Sequence, residues 1–229
     1  PVVAVLEIDY SFGGDGIVAT KDIQTLKDLI GKRVLFARDD VGETIISYLF
    51  YKSGLSLNDL IIIARRPEDV AQAFLKGEAD AVATWEPWLS SALERPDSHI
   101  LVSSKDEPGI IIDTLNIRED ILRNNPALAK GLMRGWFKAI EYYQQNPQEA
   151  SEIIARYYNL TPEEYRKQLE GLRWLAYADQ LSSERYDVWV DVFNTIAEIK
   201  FTNGRISKKP DVHSALNQEL LKGLYENSH

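Results

Sequence analysis

The sequence has no cysteine, one methionine and three histidines among its 229 residues. Without cysteine the chain forms no disulfide and offers neither a thiolate nucleophile nor a cysteine zinc site, and it is compatible with any redox compartment. The histidines, His99, His213 and His229, are far apart and have no partner at metal-ligand spacing. We therefore expect neither a metal nor a cofactor.

Long apolar runs and an excess of basic charge are also missing. No apolar run approaches the ~18 residues of a membrane helix. The segment Pro1–Leu6 carries neither the basic region nor the cleavage site of a signal peptide, and it opens on a strand without an initiating Met. We interpret the chain as a mature, truncated or cleaved polypeptide. Its net charge of −9 argues against nucleic acid and anionic membrane surfaces as partners.

Motifs of catalysis are absent as well. The sequence contains no Gly-x-Ser-x-Gly elbow and no dinucleotide-binding fingerprint. Its 35 acidic residues make chance pairs of carboxylates unavoidable, so such a pair is no evidence for general acid–base chemistry. We expect a protein that is not an enzyme.

Residues 16–117 alternate short strand and helix patterns, with glycines at the helix ends and Pro67 at a helix start. This alternation predicts a parallel or mixed sheet with helices on both faces, an α/β fold. We expect three strand-to-helix corners, around Thr20, Asp40 and Trp85, to meet at one sheet edge. In open α/β sheets that edge is where ligands bind.

The corner at Ala79–Trp88 is the most distinctive stretch. A strand over Ala81–Thr84 runs into Trp85-Glu86-Pro87-Trp88, and the fixed φ of proline suits the first turn of a helix. Two interpretations stay open. The tryptophans and Glu86 contact a ligand, or the tryptophans are packing and Glu86 is a solvated acid near a helix dipole.

After Ile117 the pattern becomes helical. Asn125 predicts a helix cap before Pro126, and Asn146-Pro147 predicts a break between two helices. The expected buried stripes are Leu128, Leu132, Trp136 and Ile140, then Ala150, Ile153, Ile154 and Tyr157, then Tyr186, Trp189, Phe193 and Ile196. Further signals are a capping box at Thr161–Glu164, followed by Tyr165, Leu169 and Leu172, a start at Ser182 or Ser183, and a last helix capped by Asp211 with Leu216, Leu220 and Leu224.

Three motifs in order carry a family resemblance: Tyr10–Ala19, reading YSFGGDGIVA; Leu26–Lys32, reading LKDLIGK; and Gly77–Ala81 leading to Trp85–Trp88. Together they resemble the nitrate/sulfonate/taurine and thiamine-precursor (NMT1/THI5-like) family of periplasmic solute-binding proteins. Members of that family feed ATP-binding-cassette (ABC) importers. Each motif alone is weak, but their order and spacing are specific.

The resemblance implies a type II periplasmic-binding-protein fold with two lobes and a hinge. On that map residues 17–112 form one complete α/β lobe. Residues 1–16 and 113–229 form the hinge and the C-terminal, largely helical part of the other lobe. Family members carry a further N-terminal segment, so we expect this second lobe to be incomplete. Its exposed sheet edges favour a homodimer or a swapped dimer.

The resemblance also implies the function and the site. We expect an extracytoplasmic or periplasmic component, whose signal segment is not in this chain, that passes a small molecule to a membrane permease. A ligand-sensing ectodomain of a membrane signalling receptor is the alternative. The residues carried over by position, with the expected helix cap Asp40, are Tyr10, Ser11, Asp15, Asp40, Gly42, Glu43, Thr44, Trp85, Glu86 and Pro87.

The chemistry of these residues bears on the ligand. Asp15, Asp40, Glu43 and Glu86 make the expected cleft electronegative, and aromatic side chains add cation–π potential. We therefore expect a cationic or neutral ligand, such as a heteroaromatic compound or an amine. The alternatives are that Asp39, Asp40 and Glu43 are capping and surface acids, and that the protein binds a sulfonate- or nitrate-type anion, with Arg38 as a source of positive charge.

Overall fold

The computed structural model describes residues 1–225 and divides the chain into two compact units. The sheet unit consists of Ser11–Ile111 together with Glu170–Leu172. The helical unit consists of Pro1–Tyr10, Ile112–Leu169 and the chain from Arg173 onward. His229 lies outside the described residues.

The described residues form strands and helices in two stretches of different character. The first half contains β1 (Val2–Ser11), β2 (Asp15–Thr20), β3 (Arg33–Phe36), α1 (Val41–Lys52), β4 (Ile61–Ala64), α2 (Pro67–Leu75), β5 (Ala81–Trp85), α3 (Trp88–Ala92) and β6 (Ser98–Ser103). The second half contains β7 (Ile112–Arg118), α4 (Glu119–Asn124), α5 (Pro126–Gln145), α6 (Pro147–Tyr158), α7 (Pro162–Leu169), β8 (Leu172–Trp174), α8 (Tyr177–Gln180), α9 (Ser183–Thr202), α10 (Val212–Ala215) and α11 (Glu219–Lys222).

The sheet unit is built on a mixed five-stranded sheet in the order β4-β3-β5-β2-β6. β3 runs parallel to both β4 and β5, whereas β2 runs antiparallel to both β5 and β6. The helices α2 and α3 pack apolar side chains on strand residues, among them Phe74, Leu89, Leu35 and Val82, all of them buried. This observed architecture is the mixed α/β sheet that the strand–helix alternation predicts.

The helical unit has a smaller sheet, in the order β7-β1-β8, with β1 antiparallel to β7. Its main core joins Val5 and Leu6 of β1 to Met133 and Phe137 of α5. β8 is not in the sequence prediction, which continues the α7 pattern through Leu172. Three residues are too few for a period of two to be recognised.

The predicted buried face of α5 is confirmed at Ile140 and wrong at Leu128 and Leu132. The residues that point into the core are Ala129, Met133, Phe137 and Ile140, whereas Leu128 and Leu132 are about half exposed. The helix is apolar on two neighbouring faces, and the sequence pattern alone does not say which one is covered. The uncovered face lines an apolar groove of about 660 Å³, together with Leu6, Ile8, Leu115 and Trp136.

The remaining helix predictions are of two kinds: those of caps and breaks are confirmed, whereas those of buried stripes and of the last helix are wrong in part. The caps at Asn125 and Ser182, the break at Asn146–Pro147 and the Thr161–Glu164 capping box are all confirmed. In the predicted α6 stripe, Ile153 and Tyr157 are exposed. The predicted last helix is divided in two, because Asp211 caps only α10 and the helical backbone resumes at Glu219.

Candidate ligand site

The site residues of the sheet unit are positioned by strands that end at one edge of its sheet. Parallel pairing of Val34 with Ala81 places the carboxyl ends of β3 and β5 at the same edge. β2 begins there, since Asp15 pairs with Trp85, and β6 ends there, since Ser103 pairs with Gly16. We call this the ligand edge.

One of the three predicted corners is not at this edge. β2 is antiparallel to β5, so its last residues lie at the opposite edge, where Ala19 pairs with Ala81. The expectation for Thr20 is therefore wrong. Strand direction depends on pairing with distant segments, which the local pattern around Thr20 does not encode.

Helix α1 begins in direct contact with β5. A β-carbon built on Gly42 would lie 2.4 Å from the carbonyl oxygen of Ala83, which is closer than side chains ever approach. Gly42 is buried, so its predicted place in the ligand site coincides with a packing requirement. Thr44, two residues further, donates its hydroxyl to the Asp40 carbonyl, 3.1 Å away.

The acids at the start of α1 bind their own backbone. Asp40 is the N-cap, and its carboxylate accepts from the Val41 N–H. Glu43 accepts from the Asp39 N–H at 2.6 Å and from Arg38 Nη1 at 2.9 Å. Each carboxylate is therefore partly compensated, and Arg38 is held as an ion-pair partner of Glu43.

At the corner after β5, the side chains of the predicted site contact one another or the first turn of α3. The rings of Trp85 and Trp88 meet edge to face with centroids 4.4 Å apart. Glu86 accepts from the Ser90 hydroxyl at 2.8 Å and from the Ser90 N–H at 3.2 Å, so it caps α3. The Glu86–Pro87 peptide bond is cis, and Pro87 is exposed just before the helix. Trp85 stays half-buried, and Trp88 packs on the core.

A buried hydroxyl pair completes the ligand edge. Ser11 Oγ and Ser104 Oγ lie 2.7 Å apart, and Ser104 Oγ also accepts from the Gly13 N–H at 2.8 Å. The Ser104 N–H donates to the Asp15 carbonyl, also at 2.8 Å. Ser104 is fully buried and absent from the sequence-predicted site. The sequence signal that could have pointed to Ser104 is its position directly after β6. The sequence analysis treats that stretch only as a polar turn.

Of the ten predicted ligand residues, nine lie in the sheet unit and Tyr10 lies in the helical unit. The corners at Asp40 and Trp85 account for Asp40–Thr44 and Trp85–Pro87, whereas Asp15 is brought to the edge by its pairing with Trp85 and Ser11 by its contact with Ser104. Their contact with a ligand stays a prediction.

In the helical unit, Tyr10 stacks under a charged side chain that the sequence prediction does not contain. The Arg185 guanidinium lies 4.5 Å from the centre of the Tyr10 ring, and Arg185 Nε donates to Glu7 Oε2 at 2.7 Å. Glu7 is fully buried. Burial raises the pKa of its carboxyl above the ordinary value, and the charge of Arg185 opposes that rise. A glutamate inside an otherwise apolar strand was the available sequence signal.

Residues 1–225 also bear on whether the protein could hold a metal ion or cross a membrane. No cluster of three or more histidine, aspartate or glutamate side chains there has the arrangement of a metal site. None of the described helices combines the length and the apolar character that crossing a membrane requires.

The fold is that of periplasmic solute-binding proteins with two lobes. The chain superimposes on the periplasmic aliphatic sulphonate binding protein SsuA from Escherichia coli with a TM-score of 0.74, at 19% identity over 95% of this chain and 69% of that one. SsuA from Xanthomonas axonopodis pv. citri, bound to MOPS, gives 0.69 at 17% identity, covering 94% and 73%. The desulfurization enzyme DSZB gives 0.64 at 14% identity, covering 99% and 80%.

Sequence comparison leads to the same group. A Bacillus subtilis (strain 168) protein, provisionally named an aliphatic sulfonates-binding protein, is 26% identical over 93% of this chain and 63% of its own length. A provisionally named binding protein of Brucella abortus (strain 2308) is 23% identical over 68% of this chain, which spans about half of that relative (49%). The family model described as NMT1/THI5 like matches residues 1–150, and the chain belongs to this family.

Proposed function

We propose that the protein is the extracytoplasmic solute-binding component of an ABC importer, which captures a small organic molecule at the ligand edge and performs no chemistry. The observation that carries the proposal is the meeting of the α1 start, Trp85 and the buried Ser11–Ser104 pair at one sheet edge. These are backbone and side-chain groups suited to orienting a ligand, and no nucleophile–base pair is among them. Family membership supports the same role.

The partner of such a component is the membrane permease of the importer, and its location is the periplasm or another extracytoplasmic space. Both parts of the proposal are supported by the periplasmic binding proteins among the solved structures that share this fold. A sensing ectodomain of a membrane receptor would bind solute in the same way. Binding of the protein to a detergent-solubilised importer permease would support the importer role over the receptor role.

The solute that the ligand edge favours is cationic or neutral. Asp15, Asp40, Glu43 and Glu86 belong to this edge, where four carboxyl groups lie on one side of a single sheet. The half-buried Trp85 ring offers a flat face to an amine or a heteroaromatic ring. A sulfonate-type anion is the second candidate. The names of the relatives favour it, and so does the favourable interaction of an anion with the free N–H groups at a helix N-terminus.

A thermal-shift screen with two panels tests the proposal. One panel contains aminopyrimidines, polyamines and quaternary amines, and the other contains alkanesulfonates, taurine, nitrate and bicarbonate. A solute at ~100 times its Kd adds roughly 2.7 kcal/mol to the free energy of unfolding. We expect stabilisation by a member of the first panel. Stabilisation only by the second would replace the cationic class with the anionic one, and none by either would contradict the proposal.

Paired acid substitutions then test the edge. Asp40→Asn with Glu86→Gln should weaken binding of the amine at least about tenfold, because two carboxylates lose their charge. Glu78→Gln with Asp97→Asn removes the same charge from surface ion pairs with Arg65 and Lys21, and should leave the affinity unchanged. Equal affinities for both double variants in calorimetry would show that Asp40 and Glu86 act only as helix caps.

The groove beside α5 supports self-association of this chain. Leu128 and Leu132 are half exposed, and nothing lies within 4 Å of a β-carbon built on Gly131 or Gly135. β7 lies at an edge of its sheet, where it pairs only with β1 among the described strands. An apolar face beside a free strand edge favours pairing with a second copy.

A further inference from the structure

A polar cavity of about 370 Å³ lies in the helical unit, between the start of α9 and the short helices α10 and α11. Its volume is in the lower part of the range of small-molecule pockets, about 300–1,000 Å³. All of its lining residues lie between Leu181 and Lys222, so the helical unit alone forms it. None of the residues assigned to the ligand edge belongs to it. We call this cavity the α9 pocket.

The buried side of the α9 pocket is fixed to the sheet of the helical unit. Leu216, the residue after α10, forms a parallel bridge with Ala4 of β1, and the Asn217 N–H donates to the Ala4 carbonyl at 2.9 Å. Leu216 is itself buried, in a cluster with Ala4 and Trp189. This part of the lining is therefore in position before any ligand arrives, which lowers the entropic cost of binding.

The charges of the α9 pocket compensate one another. Besides the imidazole of His213, its ionisable side chains are Glu219 and Lys222, and Lys222 Nζ lies 3.0 Å from Glu219 Oε1. Because the two charges form an ion pair, the lining does not select an ion of either sign. A ligand without net charge is favoured here over an organic anion or an amine.

Polar side chains around the cavity have hydrogen-bonding capacity that the protein itself does not use. Within residues 1–225, the hydroxyl of Ser183, the imidazole of His213 and the side-chain amide of Gln218 make no hydrogen bond. Hydroxyl and amide groups both donate and accept, and an imidazole presents two ring nitrogens. Such a set matches the hydroxyl groups of a ligand, since each of them also donates and accepts.

Tyr186 supplies a flat wall of the pocket. Its side chain is half-buried, and its ring meets the Trp189 ring edge to face with centroids 6.4 Å apart. Its phenolic hydroxyl has no hydrogen-bond partner in the part of the chain that the structure describes. Tyrosine thus combines an apolar ring with a polar tip. A cyclic polyol has the complementary form, a C–H face bordered by hydroxyl groups.

We propose that the α9 pocket binds a neutral cyclic polyol, such as a sugar ring, whose hydroxyl groups bond to Ser183, His213 and Gln218 and whose C–H face packs on Tyr186. This site is separate from the ligand edge and does not depend on the function proposed above. The competing explanation is a solvated gap between helix ends, in which these side chains bond only to water.

Titration of the whole chain with glucose, galactose and myo-inositol, followed in ¹H–¹³C NMR spectra of the histidine side chains, tests the proposal. We expect a saturable shift of the His213 signal with at least one of them, and none of the His99 signal, which belongs to β6 of the sheet unit. A parallel titration with dextran tells a free polyol from the end of a glycan chain, and a saturable shift in either titration supports the site.

A matched pair of variants tests the assigned contacts. Gln218→Ala should weaken the affinity, measured from the His213 shift, about tenfold, a usual effect of a lost hydrogen bond. Gln144→Ala is the control, because Gln144 is an exposed glutamine of the same unit, on α5, that does not line the pocket. It should leave the affinity unchanged.

Two further variants separate the proposal from its alternatives. Ser183→Phe places a ring in the pocket from an exposed position and should abolish the His213 shift without lowering the thermal stability. Trp85→Leu alters the ligand edge and should leave the His213 shift intact, so the outcome at that edge does not decide this one. No saturable His213 shift with any of these probes, an equal shift of His99, or equal affinities of wild type, Gln218→Ala and Ser183→Phe would overturn the polyol site and leave a solvated gap.

Discussion

Gly42 at the start of α1 lies so close to β5 that its α-carbon leaves no room for a side chain beside the Ala83 carbonyl. The nearest approach of an added β-carbon to that oxygen would be 2.4 Å, and the atom it meets is backbone, which cannot rotate away. This contact sets the position of the α1 N-terminus over the strand that ends in Trp85. The ligand edge therefore depends on a glycine that need not touch the ligand.

Replacing that glycine should separate α1 from β5. We expect Gly42→Ala to destabilise the protein by roughly 1–3 kcal/mol, the usual cost of forcing an extra carbon into a packed interior. The measurement is urea unfolding followed by circular dichroism. Gly131→Ala is the matched control in α5, where nothing lies within 4 Å of the added carbon. It should be neutral or stabilising by up to about 1 kcal/mol. Equal stability of Gly42→Ala and wild type would contradict the contact.

The buried hydroxyl of Ser104 should matter for both stability and solute binding. Ser104→Ala removes the acceptor of the Gly13 N–H and the partner of Ser11, at a cost of about 1–3 kcal/mol for groups left unsatisfied in the interior. Because these bonds order the turn before Asp15, affinity for the stabilising amine should fall as well. Ser104→Thr, which keeps the hydroxyl, should restore part of the affinity. A Ser104→Ala variant with wild-type stability and affinity would show that the network has no role.

An ion pair at the opposite edge of the same sheet should respond to acid. Hydrogen bonds from Arg33 hold the pKa of Asp80 below its ordinary value, with Arg33 Nη2 2.8 Å from Asp80 Oδ1. A carboxyl with a depressed folded-state pKa stabilises the protein above its unfolded pKa of about 3.9, and that stabilisation is lost as the pH falls through the folded-state value.

Asp80→Asn should therefore cost about 1 kcal/mol at neutral pH, and this difference from wild type should shrink as the pH falls below about 4. Urea unfolding at a series of pH values measures it. Solute affinity should not change, because Asp80 lies just before β5, away from the ligand edge. A difference from wild type that is constant with pH would mean that the charge of Asp80 is not what stabilises the sheet unit.

Comparison of particular elements shows which features the sequence encodes locally. The caps at Asp40 and Asn125 and the capping box at Thr161–Glu164 are predictable, because cap and backbone donor are within three residues of each other. The same is true of the strand-to-helix corners at Asp40 and Trp85. The order of the motifs in the first half of the chain was also enough to predict the family, and the family predicts the fold.

Features that depend on distant contacts were not predictable. The direction of β2 follows from its pairing with β5 and β6, far along the chain, and so the Thr20 corner was misplaced. Ser104 and Arg185 each act on residues about 90 to 180 positions away. The uncovered face of α5 depends on which of two apolar stripes meets β1, and no periodicity decides between equal stripes.

That uncovered face leads to the last prediction. Because the groove over Leu128, Leu132 and Gly131 is apolar and lies in the unit whose β7 edge is unpaired among the described strands, we expect this chain to dimerise at micromolar concentration. Light scattering after size-exclusion chromatography should give twice the 26.0 kDa mass. Leu132→Glu places a charge in the groove and should give a monomer. Ile153→Glu adds the same charge at another exposed apolar position, on α6, and should remain dimeric. A wild-type chain that stays monomeric at every concentration would show that the groove does not drive self-association, and a dimer that survives Leu132→Glu would place the interface elsewhere.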